Sequence, residues 1–129
     1  MINKRILVAA LIFFSAHIIL SEIMSAVGIE PWTIYGFDVP IVWFVSALLA
    51  AWYAGSRFIV PAVAVWGALW TLIVFLLYQV AAPTGQASVL GILQFNALGL
   101  VTSLVAVALG VYLGQVISRR RLHDERTAA

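Results

Sequence analysis

His17 and Glu22 are ionisable side chains set inside an unbroken apolar stretch, residues 6–27, long enough to cross a bilayer. A carboxylate or an imidazole at that depth is expensive in hydrocarbon, so such groups face a protein interior, a partner or a wet cavity. Two chemistries fit the pair. In one, Glu22 binds a cation or proton and His17 tunes or relays it. In the other, both are hydrogen-bonded and hold helices in register. Winding the stretch as a helix at about 100° per residue places Ser21 about 40° and Glu22 about 140° from His17. Ser25 and Ser15 fall in the same sector, and Ile19, Ile12, Ile23, Val27, Leu20 and Phe13 fill the rest of the circumference. The polar sector is expected to turn toward the other helices and the apolar one toward lipid.

An antiparallel layout brings further polar residues to the depth of Glu22. These are Trp43 and Ser46 on the second apolar stretch, Tyr78 and Gln79 at the end of the third, and Gln94, Asn96 and Thr102 on the last. Asn96 lies deepest and is the candidate partner of Glu22, whereas Gln79 and Gln94 also suit a plain interfacial position. Together with Tyr35 and Asp38 at the mouth, they outline a polar pocket in the outer half of the membrane.

Enzymatic signatures are missing. There is no Gly-rich phosphate loop, no His-Glu-x-x-His, no Gly-x-Ser-x-Gly and no cysteine. The expectation is therefore no enzyme, no metal site and no cofactor. The one membrane histidine of a single chain cannot supply both axial ligands of a haem, although a symmetric dimer could, and Glu30 and Asp38 read as solvated loop residues, with a divalent-ion site as the alternative.

The elements that must position these residues follow from composition. Of 129 residues, 64% are hydrophobic and 9% charged, with a mean hydropathy of +1.10, so the chain is a membrane protein with no room for a separate soluble domain. The predicted fold is an all-α membrane protein, a bundle of four transmembrane helices built as two hairpins within one domain, 1–129. Its spans run at about 6–27, 40–55, 59–80 and 89–117, followed by a tail, 118–129, expected to fray. The basic start at Lys4 and Arg5 suggests a signal peptide, but the apolar run is long and ends without a small-x-small cleavage site, so it reads as an uncleaved helix. Pro and Gly mark loops at 28–39 and 81–88 and a tight turn at 55–58. The last apolar stretch exceeds one perpendicular span. Either it tilts strongly, or its beginning up to Asn96 lies in the interface.

All seven basic residues fall at Lys4 and Arg5, at Arg57, and at Arg119, Arg120, Arg121 and Arg126, while the two loops carry none. The positive-inside rule then puts both termini and the Arg57 turn in the cytoplasm, in an inner (plasma) membrane protein. The arginine tail also suits anionic lipid, and its brevity argues against a nucleic-acid partner. Gly99, Ser103, Gly110 and Gly114, with Ala106, space small residues by three and four along the last helix, a pattern for close helix packing within the chain or across a homo-oligomer. Trp66 and Trp70 share one face of the third and also suit packing.

Two functions of different class remain open. One is a small transporter or channel-like homo-oligomer for an ion or small solute, coupled through Glu22 with His17, Ser21 and Asn96, its pocket lined by Trp43, Gln79, Gln94 and Thr102. The other is a non-transporting accessory, assembly or immunity-type subunit that packs against a larger partner through its glycine and tryptophan faces.

Overall fold

The computed structural model describes residues 3–28 and 38–129, and every regular element among them is helical. We number them α1 (Lys4–Ala26), α2 (Asp38–Ala54), α3 (Ile59–Ala81), α4 (Val89–Phe95) and α5 (Ala97–Ala128), with a short 3-10 turn, Ala82–Thr84, after α3. Three are long and apolar enough to cross a membrane: α1, α3 with its 3-10 extension, and α5. The fourth apolar helix, α2, is shorter. Glu30 and Tyr35, expected above in an outward loop, lie outside the described residues, and Asp38 begins α2.

Local chemistry sets the ends. The Asn3 side chain accepts a hydrogen bond from the Arg5 amide at 3.1 Å and caps α1, and Ser88 caps α4 by accepting from the Gly91 amide at 3.2 Å. Pro40 and Pro61 fall in first turns, where no donor is missed. Gly55 closes α2 at φ +79°, a left-handed conformation that costs glycine nothing. The chain breaks at Asn96, whose side-chain amide donates to the Ile92 carbonyl at 2.8 Å alongside its own backbone N–H at 3.0 Å. An asparagine that competes for helical carbonyls in this way ends one helix and starts another. The long last stretch is thus two helices, and residues 89–95 belong to the shorter.

Four interfaces join the long helices: α2 with α5, which is the most extensive, then α1 with α2, α3 with α5, and α1 with α3. Each sequential hairpin is therefore paired, yet α2 and α3 form no comparable interface despite the short turn between them. The α2–α5 contact explains this. A Cβ added at Gly110 would stand 2.5 Å from the Phe44 carbonyl oxygen, and one at Gly114 2.5 Å from that of Leu48. Across from them α2 presents Ala47 and Ala51, both fully buried. The two backbones touch, and the rising register on both sides shows that α2 and α5 run parallel. The starts of α1 and α3 therefore share an end of the molecule with the finishing turns of α2 and the Ser118 region of α5.

The tail departs from the frayed coil expected of it. It continues α5 as helix to Ala128, supported by an Arg121–Glu125 pair of 2.9 Å one turn apart and by Thr127 donating to the His123 carbonyl.

Because the clash at Gly114 is with backbone, an added methyl must push the helices apart. Gly114→Ala is expected to destabilise the fold by roughly 1–3 kcal/mol in mixed-micelle unfolding. Gly67→Ala, where nothing lies within 4 Å of the new methyl, should be neutral or stabilising by up to about 1 kcal/mol.

Candidate functional site

At mid-depth the helices meet through one connected set of aromatic rings and a hydroxyl. From α1, Phe13 meets the Trp43 ring edge-on at 6.1 Å, and His17 lies over the same ring at 4.1 Å with a tilt of 39°. Trp43, on α2 and 1% exposed, stacks parallel to Trp70 of α3 at 6.5 Å. Trp70 then donates its indole N–H to Ser103 Oγ of α5 at 3.0 Å, and Trp66 donates to the same oxygen at 2.9 Å. The Ser103 hydroxyl in turn donates to the Leu100 carbonyl at 3.0 Å. A hydroxyl offers one donor and two acceptor sites. All three are used, so four helices meet at one level and both α3 indoles have an acceptor.

One polar atom in this layer is not provided for. Nδ1 of His17 is buried and has no hydrogen-bond partner among the described residues. A buried nitrogen without a partner costs about 1–3 kcal/mol, so it has capacity left for a water or a ligand.

The orientation of α1 corrects the expectation that its polar sector turns inward. Ala9 and Phe13 are fully buried, so the inward face centres on Phe13, about 180° around the helix from Glu22. Phe13, assigned above to lipid, is core. Of the polar residues only His17 turns in; Ser21 is half-buried at the edge, and Glu22, Ser15 and Ser25 are exposed on the surface of the single chain. The physical reason is steric. Close approach to α2 selects a small residue and a flat ring, and polarity has no say in which face packs best when lipid accepts apolar side chains as readily as protein does.

The other residues of the outlined pocket are dispersed. Asn96 spends its amide on Ile92 in the α4–α5 break and makes no bond to Glu22. Thr102 donates to the Leu98 carbonyl of its own helix at 2.8 Å, Gln79 and Gln94 are exposed, and Trp43 is a core ring. Ser46 is buried and donates back to the Val42 carbonyl at 2.7 Å. On the packing face, Gly110 and Gly114 lie against α2, Gly99 touches the Trp70 ring at ordinary distance, and Ser103 holds the two indoles. Gly110, Gly114, Ser103 and Trp70 thus make their contacts within the chain, while Trp66 and Gly99 are half-buried. Among the described residues no three His, Asp or Glu side chains gather as a metal set.

Sequence reasoning treated Ser103 only as a small packing residue. The signal that finds it is satisfaction: two indole donors one turn apart on α3 need an acceptor in hydrocarbon, and Ser103 is the hydroxyl on the facing stripe of small residues. Compared with protein-family models, with curated proteins and with solved structures, the chain matches none.

Ser103→Ala would strand two donors at once, and a loss of roughly 1–3 kcal/mol is expected, with a shifted tryptophan emission. Ser46→Ala removes a bond to a carbonyl already engaged in its helix and should cost well under half as much in the same unfolding assay.

Proposed function

We propose that this chain is a small integral membrane protein that works as a homo-oligomer, with the exposed edge of α1 around Glu22 as the contact between copies and Glu22 as its proton- or cation-coupling carboxylate. The observation that carries the reading is the placement of Glu22. It sits on a bilayer-length apolar helix, on the side turned away from its own chain's helices, among Ser15, Ser21 and Ser25. In lipid such an edge is costly until a second polar surface covers it. A homologous edge from another copy is self-complementary by symmetry and gathers two carboxylates and several hydroxyls along one seam. His17 stands behind this seam, one and a half turns toward the basic end.

In the same reading α1, α2, α3 and α5 each span the bilayer of an inner membrane, and α4 rests at the outer interface. Both termini are cytoplasmic. The support is that the fold collects Lys4, Arg5, Arg57 and the α5 arginines at one end, as a cytoplasmic rim requires. The accessory-subunit reading uses the same α1 edge with a foreign helix in place of a second copy.

The chain lacks cysteine, so single introduced thiols report contacts cleanly. Ser25→Cys, on the α1 edge, is expected to cross-link to dimers in membranes, and Val105→Cys, also exposed but on α5, is not. In proteoliposomes carrying a membrane potential, the wild-type chain should pass protons or monovalent cations, and Glu22→Gln should fall to the level of empty vesicles while still cross-linking. Efficient cross-linking at both positions, or at neither, would remove the seam. A Ser25→Cys adduct only with a heavier foreign protein would establish the accessory role instead.

A further inference from the structure

At the basic end, α5 carries on where α2 stops, and this mismatch opens a cleft of about 190 Å³. The α5 face that buries Gly110, Gly114 and Ser118 continues one turn on with Arg121 and then Glu125, while α2 has already ended at Ala54. The start of α1 closes the side. Arg5, Trp52, Tyr53, Ser118, Arg121 and Glu125 line the opening.

Both guanidinium groups are held, and held in the same manner. Arg5 donates its Nε–H to the Tyr53 carbonyl at 2.9 Å and lies over the Tyr53 ring at 5.8 Å. Arg121 donates its Nε–H to Glu125 at 2.9 Å and lies over the Trp52 ring at 5.5 Å. Each cation is thus positioned by its inner nitrogen and an aromatic face, and its terminal amino groups make no bond to another described residue. Gly55 sits between the two sides. A Cβ there would stand 3.5 Å from Ser118 Oγ and 3.6 Å from an Nη of Arg5, so the missing side chain keeps a hydroxyl and a guanidinium open to the same space. Two preorganised guanidiniums outweigh the single Glu125 carboxylate, and Arg119 and Arg120 add to the field from the same helix.

We propose that this cleft binds the phosphate of an anionic phospholipid headgroup, gripped between Arg5 and Arg121 with the Ser118 hydroxyl as a further donor. Depth argues for a lipid as the source. The apolar run of α1 begins at Ile6, directly after Arg5, and that of α5 ends at Ile117, directly before Ser118. The cleft therefore opens at the level of the headgroups, with Trp52 and Tyr53 beside it as interfacial aromatics. The site is independent of the reading given to Glu22.

The test is native mass spectrometry of the full chain in detergent, titrated with phosphatidylglycerol or phosphatidylcholine. Phosphatidylglycerol should be retained over phosphatidylcholine, and Arg5→Gln/Arg121→Gln should weaken that retention by roughly tenfold. Lys4→Gln/Arg126→Gln removes the same charge outside the cleft and should retain the lipid. Arg121→Gln alone, a change at an exposed side chain, should lose several-fold and serves if the double variant does not fold. Inorganic phosphate at millimolar concentration separates the sources: no displacement identifies the lipid, and full displacement identifies a free phosphate as the ligand of the same cleft. Equal loss in the Lys4/Arg126 control, or no loss in the cleft variants, would overturn the site.

Discussion

The close apposition of α2 and α5 governs the remainder of the structure. In lipid no hydrophobic gain rewards one apolar helix for leaving the hydrocarbon for another, so association rests on dispersion and on polar contacts. Both depend on distance. Gly110 and Gly114 against Ala47 and Ala51 let the backbones meet where any Cβ on the glycines would collide with a carbonyl oxygen. Once α2 and α5 lie parallel at this separation, α3 must run antiparallel to α5, and α1 antiparallel to α2. The two remaining helices close on each other through a weaker contact. The Trp43, Trp70 and Ser103 layer is the consequence at mid-depth, because it fills the space that the glycine contact leaves where the residues facing each other grow larger.

Polar satisfaction divides the molecule sharply. Ser46 and Ser103 are buried and bonded, and the Trp66 and Trp70 indoles have an acceptor. Among the described residues, the ionisable side chains of the α1 apolar stretch stand outside this order: Nδ1 of His17 is buried without a partner and the carboxylate of Glu22 is exposed. α1 is also the least enclosed of the three long apolar helices, with 11% of its apolar window buried against 33% for α5. A helix with little packing and two polar groups left over is one that its own chain has not completed.

Much of the fold was legible in the sequence for a simple reason. Hydropathy over about 20 residues is a strong signal, and Gly and Pro punctuate it, so the bounds of α1 and α3 agree with expectation within two residues at either end. The small-residue spacing on α5 was legible too, since only close approach requires it. Three things were not. The rotation of α1 was misjudged because polarity predicts which face is costly in lipid, whereas packing is decided by size, and Ala9 with Phe13 fits α2 better than the serines do. The break at Asn96 was legible only as an alternative to tilt, since asparagine within an apolar run is not a breaker by composition. The polar residues of the outer half were grouped by depth alone, and depth leaves azimuth free. Asn96, Thr102 and Gln94 spend their polarity locally or face outward.

The two ends of α1 belong to different physical regimes, and this keeps their roles separate. In the proposed membrane placement Arg5 lies at headgroup depth, where a guanidinium is solvated and a phosphate is abundant; Glu22 lies about 25 Å further along the same rod, where charge is costly. Sites that far apart with no shared partner contribute almost additively. The aromatic layer lies between them and meets α1 through the rings of Phe13 and His17. A helix pinned at its basic end by Arg5 on the Tyr53 carbonyl and seated midway on one tryptophan makes no side-chain hydrogen bond near Glu22 among the described residues. The chain's own packing therefore fixes where the polar edge is, and in the proposed oligomer the surface that meets it fixes what that edge does.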